Sequence, residues 1–127
     1  MSPLEPQIAA TIAQEWLDAF NARRAEQVVE HFAEDVTAQS PVIARLRPAS
    51  GGILNGKPAV LSFYEDRLRA IPDLHFTLVA VLTGIGQLTI LNRNQRDILV
   101  AETLNLREDG LVSAVSVTYG TASTAVS

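Results

Sequence analysis

The sequence predicts an α+β domain with three N-terminal helices on an antiparallel sheet, and three observations predict it. Apolar residues recur at spacings of three and four in the first half of the chain, the signature of helices with one buried face. From residue 74 to residue 120 the chain changes to runs rich in Val, Ile, Leu and Thr, separated by short turns, which is the pattern of consecutive hairpins. No repeat, low-complexity run or linker divides the two regions, so helices and sheet must share one core. With 127 residues, the chain reads as a single domain over 1–127, with about 1–5 and 121–127 expected to be flexible.

The first helix is expected over Leu4 to Phe20, where Ala9, Ile12, Ala13, Trp16 and Phe20 form one stripe and Pro6 suits the first turn. A second stripe of Ala25, Val28, Val29 and Phe32 predicts a shorter helix after the tight connection Asn21 to Arg24. Alternation from Asp35 to Ser40 predicts a first strand, which Pro41 ends. Pro48, Ser50, Gly51, Gly52, Asn55 and Gly56 mark Arg45 to Gly56 as a mobile, lid-like loop with room for a second short strand. Pro58 opens a third helix with Val60, Leu61, Tyr64, Leu68 and Ile71 on one face, stopped by Pro72. Strands follow over Leu74 to Thr83, Gln87 to Asn94, Ile98 to Leu106 and Leu111 to Gly120, divided by Gly84, Gly86, Asn94 and Asp109-Gly110.

Both faces of these strands carry apolar or small residues: Leu99, Ala101 and Thr103 oppose Val100 and Leu104. Helices cover one face, so the outer face of the sheet is expected to meet a second copy in a homodimer. Ten basic residues are scattered against 14 acidic ones, for a net charge of −4. That distribution argues against nucleic acid as a partner. No run of apolar residues is long enough for a membrane helix and the N-terminus lacks a signal-peptide pattern, so a cytoplasmic protein without a membrane partner is expected. Cysteine is absent, which removes disulfides, thiolate metal sites and cysteine nucleophiles. His31, His75 and the scattered acids have no metal-ligand spacing, and no metal is expected. Gly51-Gly52 and Gly84-Ile85-Gly86 lack the context of a phosphate loop and read as turns.

The position that points to chemistry is Glu102. On its strand, one face presents Ile98, Val100, Glu102, Leu104 and Leu106, with one carboxylate in the middle of an apolar row. A buried acid has a raised pKa and serves as a protonated hydrogen-bond donor or as a base near neutrality. The alternative is structural: Glu102 bonded to a neighbour such as Trp16, or paired with an arginine at the dimer face. Trp16, Phe20, Phe32, Phe63, Tyr64 and Tyr119 are core residues or, with Ser40, the wall of an apolar ligand pocket around that acid; both can hold at once. His31 and His75 are expected to be ordinary packed or exposed side chains.

The run Glu15-Trp16-Leu17-Asp18-Ala19-Phe20-Asn21, followed by His31-Phe32-Ala33-Glu34-Asp35-Val36, resembles the opening of SnoaL-like polyketide cyclases and ketosteroid isomerases, of the nuclear transport factor 2-like superfamily. Gly56 with Pro58 to Phe63, Pro72-Asp73-Leu74, and Glu102 to Leu106 with Asp109-Gly110 leading to Tyr119 extend the likeness over nearly the whole chain. The resemblance implies a cystatin-like cone, a strongly bent sheet around a pocket, commonly dimeric, in a family of isomerases, cyclases, dehydratases, epoxide hydrolases and non-catalytic binders. It also implies departures. Trp16 stands where the isomerases have a tyrosine, Ser40 where they have the proton-shuttling aspartate, and Glu102 alone keeps an acid, at the second oxyanion-hole position. Steroid isomerase activity is therefore not expected. The cyclases' acid and histidine pair is not reproduced, and Arg96-Asp97 falls in a turn rather than on a strand as in the epoxide hydrolases. The expectation is a protein that binds or transforms a small apolar carbonyl or polyketide-like molecule. It would use acid–base chemistry without a cofactor, with Glu102 as acid or base and Trp16 and Ser40 as polar contacts. A non-catalytic ligand-binding or dimerisation module is the competing expectation.

Overall fold

The computed structural model describes residues 4–121. The expected flexible ends lie outside the described residues, apart from Leu4, Glu5 and Thr121. Helix α1 runs Pro6–Asn21 and buries Ala9, Ala13, Trp16, Leu17, Ala19 and Phe20, the stripe read from the sequence. After a turn through Arg23, which adopts a left-handed backbone, comes the single turn α2, Ala25–Val28. Strand β1 (Phe32–Gln39), helix α3 (Pro41–Leu46), strand β2 (Ile53–Asn55) and helix α4 (Lys57–Ala70) follow, and then β3 (Thr77–Gly84), β4 (Gln87–Arg93), β5 (Leu99–Leu106) and β6 (Val112–Tyr119). The strands form one six-stranded sheet in the order β2-β1-β6-β5-β4-β3.

The α+β class and helix-on-sheet layering hold, with four differences from the expectation. Phe32 opens β1 instead of closing the second helix; at even spacing it shares the buried face with Val36 and Ala38, while the pairing with β6 shifts between Phe32 and Thr37. Pro41 starts a fourth helix rather than merely ending a strand: Ser40 caps it, its Oγ accepting from Ile43 N–H at 3.0 Å, and Pro41 supplies the fixed φ of a first helical turn. The lid-like stretch is tied down by β2, by the Arg47–Asp66 ion pair at 2.6 Å and by Arg47 over the Phe63 ring. Finally, β1 pairs with β6 in parallel, while the other neighbours are antiparallel.

Asn21 and Arg23 explain why β3 starts later than expected. The Asn21 amide donates to Phe76 O at 2.9 Å and accepts from Phe76 N–H at 2.8 Å, occupying the groups a ladder would use. The Arg23 guanidinium donates to the carbonyls of Leu68 and Ile71 at 2.5 and 2.6 Å, satisfying the C-terminal end of α4. The start of the chain's described part is also docked: Leu4 N–H donates to Gly84 O and its side chain packs on the core. Inside the curve of the sheet, Leu17, Val36, Val60, Leu88, Ile90 and Leu104 are fully buried. An aromatic cluster of Trp16, Phe20, Phe32, Tyr64 and Phe76, with centroids 5.1 to 6.4 Å apart, fills the space between α1, α4 and the sheet. Among the described residues no helix is long and apolar enough to cross a membrane.

Candidate functional site

The register of β4 and β5 decides what faces inward. Ile90 sits opposite Glu102 and Asn92 opposite Val100, and the two rows Leu88, Ile90, Asn92 and Val100, Glu102, Leu104 are buried towards the helices. Strand alternation therefore carries Glu102 into the core, where it is 5% exposed. Its Oε2 accepts from Trp16 Nε1–H at 2.7 Å and from Asn92 Nδ2 at 3.4 Å. Oε1 has no bonded donor among the described residues, which leaves one carboxyl oxygen for a ligand.

Burial raises the Glu102 carboxyl from 4.5 to about 7, and the bonds from Trp16 and Asn92, which favour the charged form, partly oppose it. Near neutrality the group is thus divided between acid and carboxylate. Asn92 is itself fully buried, and its Oδ1 has no hydrogen-bond partner. With Glu102 protonated, turning the Asn92 amide over would place that acceptor near a carboxyl proton, so the pair suits both protonation states.

Glu102 borders a cavity of about 350 Å³ between α3, α4 and the inner face of the sheet. Phe20, Phe63 and Tyr64 wall it on the helix side, Val115, Val117 and Tyr119 come from β6, and Ser40 and Ile43 from the start of α3. Burial is the first cause raising the Tyr64 hydroxyl well above its ordinary value, and it pushes Tyr119 up to about 12; the Glu102 charge adds to both. Both phenols are therefore protonated at neutral pH, next to an acid that titrates there. An arrangement of hydroxyl donors and a protonatable carboxyl in an apolar cavity can hold a carbonyl oxygen and exchange a proton with it.

Of the residues read from the sequence, Phe20, Ser40, Phe63, Tyr64, Glu102 and Tyr119 come together on this cavity. Trp16 and Phe32 stand one layer behind. Their stacked rings, 5.6 Å apart, border a separate groove of about 620 Å³ with Ile12, Leu104 and Val112, and Trp16 reaches the site only through its bond to Glu102. That groove is larger, but its ionisable neighbours Glu15, Asp18, Glu30 and His31 are all exposed, so the buried chemistry lies in the smaller cavity. Ser40 borders the cavity, and its Oγ accepts the capping bond of α3. His31 and His75 are exposed and border no part of it.

Sequence reasoning missed Asn92, which reaches the site through its bond to Glu102, and the arginines Arg45, Arg67 and Arg96, which border the cavity. Arg67 had a readable signal: it lies three residues after Tyr64 and four after Phe63, on the apolar stripe of α4, where a cation needs a reason. Asn92 had a similar one, a lone amide in the alternating row Leu88, Ile90, Asn92. Among the described residues no group of three or more His, Cys, Asp or Glu side chains comes together in a way that could hold a metal.

A bent sheet closed by helices over an apolar cavity with one buried acid defines a class, and comparison names it. Residues 13–93 match the SnoaL-like domain model, and the chain belongs to that family. A SnoaL-like protein of unknown function from Burkholderia thailandensis is 30% identical, with a TM-score of 0.90 over 94% of this chain and 100% of that one. A proposed ketosteroid isomerase from Kribbella flavida is 21% identical, with a TM-score of 0.69 over 91% of this chain and 80% of the other. SalBIII, an epoxide hydrolase/cyclase-like enzyme of pyran ring formation in the polyether salinomycin, is 15% identical, with a TM-score of 0.72 over 92% and 94% of the two chains. The last two likenesses are of fold. A protein of cystatin-like fold from Methylobium petroleophilum, with a TM-score of 0.73, shares 13% identity over 94% of this chain and 80% of the other. No curated protein matches the sequence significantly.

Proposed function

We propose that this protein binds a small apolar carbonyl compound, of the polyketide-like kind, in the cavity beside Glu102 and transforms it by proton transfer without a cofactor. The observation that carries this reading is the Glu102 carboxyl: buried in an apolar cavity, with both its hydrogen bonds on Oε2 and Oε1 left over. In its protonated form Oε1–H donates to the ligand's carbonyl oxygen, and the neighbouring phenol of Tyr64 provides a further donor. Solved relatives of the same fold carry isomerase or cyclase names, which agrees with such chemistry.

The test uses methyl naphthyl ketone and cyclic enones as probes in a thermal-shift and titration screen. A carbonyl acceptor needs the protonated acid, so affinity is expected to hold below pH 7 and to fall about tenfold per pH unit above it. Glu102→Gln, which keeps a donor but has no exchangeable acid, should bind without that pH dependence and lose turnover by about 100-fold or more. Binding that ignores both pH and the substitution would overturn the reading.

A second reading, a non-catalytic binding module, is favoured by one observation: His31 and His75 are outside the cavity, so Glu102 has no histidine partner there. Binding that retains the pH dependence without turnover of any enone would select it.

We also propose a homodimer through the outer face of the sheet. Register places Leu82, Thr89, Thr103 and Ser116 in one cross-strand row there and Ala80, Leu91, Ala101 and Thr118 in the next. Leu82 is 53% exposed, and the rows lack charge. Sedimentation at micromolar concentration should show a dimer that Leu82→Glu with Ala101→Glu converts to monomer; a monomeric parent protein would exclude it.

A further inference from the structure

Three arginines border the cavity: Arg45 from α3, Arg67 from α4 and Arg96 from the turn between β4 and β5. The ion pairs among the described residues do not use them. Asp66, next in sequence to Arg67, is taken by Arg47 and Arg69, while Arg93 pairs with Asp97 and Arg107 with Asp109. Among the described residues none of the three has a carboxylate partner. The carboxyl that borders the cavity, Glu102, lies on the buried strand face, with its Oε2 bonded to Trp16 and Asn92 and no arginine among its partners. Arg67 is half-buried; loss of hydration pushes its pKa down and the nearby charge of Arg45 pushes in the same direction, with the Tyr119 phenol opposing. Arg67 thus feels the like charge of the exposed Arg45 beside it, and the two repel. A bound anion would relieve that repulsion, and guanidinium groups match carboxylates in geometry as well as charge.

From this juxtaposition we infer that the ligand is an acid: an apolar carbonyl compound with a carboxylate, the carboxylate held by Arg45 and Arg67 and the carbonyl directed to Glu102. The inference rests on the proposed function for the carbonyl end and adds the class of the other end. Apolar walls from Phe20, Phe63 and Val117 separate the two and accept the hydrocarbon between them. Arg45 and Arg67 reach the cavity from different helices, α3 and α4, so a ligand that engages both also joins those helices.

The test compares naphthoylpropionate with its methyl ester by titration calorimetry on the full chain, below neutral pH so that Glu102 is protonated. The acid should bind about tenfold more tightly than the ester, with a preference that shrinks as salt is added. In Arg45→Gln/Arg67→Gln the two should bind alike, and Arg67→Lys should keep part of the preference. Both arginines lack ion-pair partners, so these variants are expected to fold; their thermal unfolding should match the parent's. Equal affinity of acid and ester for the parent, or a preference that survives in the double variant, would overturn the anion site. Preference for the acid together with insensitivity of ester binding to Glu102→Gln and pH would overturn the role of Glu102 and leave the anion site standing. Failure of both compounds to bind would overturn both.

Discussion

Between pH 4.5 and pH 7 the parent protein is expected to lose about 3 kcal/mol of stability that the Glu102→Gln variant does not lose. Glu102 has its folded pKa raised from 4.5 to about 7. In that window the folded chain holds a proton that the unfolded chain has released, so raising the pH draws the equilibrium towards unfolding. The stabilisation is complete below the unfolded value and gone above the folded one. Glutamine has no proton to lose. Its carbonyl can accept from the Trp16 indole and its amide can donate to Asn92 Oδ1, the acceptor without a partner in the parent. Denaturant titrations at several pH values across this window should give diverging curves for the two proteins. Parallel curves would mean that Glu102 is hydrated and ordinary, and the proposed proton transfer would lose its basis.

The second large effect is expected at Trp16. Trp16→Ala removes a buried ring that packs on Phe20, Phe32 and Tyr64 and should cost about 3–5 kcal/mol, as large-to-small changes in cores do. Trp16→Phe isolates the indole N–H. It keeps most of the ring contacts but withdraws the 2.7 Å bond that holds the Glu102 pKa down. The Glu102 titration should therefore move further up, seen as a higher pH for the loss of carbonyl-ligand binding and as a shifted carboxyl resonance. An unchanged midpoint would show that Trp16 packs against the acid without tuning it.

Much of this site could be read from the one-dimensional pattern. Glu102 stood out because alternation along a strand requires no partner to be known: residues two apart share a face, and a carboxylate between Val100 and Leu104 must be buried if they are. The stripe of α1 likewise put Trp16 and Phe20 inside, and a Trp16–Glu102 bond was among the readings open from sequence. The short elements were less legible. Helix α3 is a short capped helix whose stabilisation depends on Ser40 and on contacts with the strand beside it, and Phe32 joined β1 through its pairing with Val112 of β6, a distant partner.

By itself, the sequence determined the α+β class, the long helices, the hairpin series and the apolar row that carries Glu102, because each follows from periodicity within one segment. Only the tertiary structure decided which residues share the cavity. It moved Trp16 and Phe32 behind the acid, set the Ser40 oxygen to cap α3, and brought Arg45 and Arg67 together with Tyr119 from α3, α4 and β6. Those distances span up to 74 positions of chain, from 45 to 119. Proximity across such separations is set by strand order and helix docking, which no local spacing encodes.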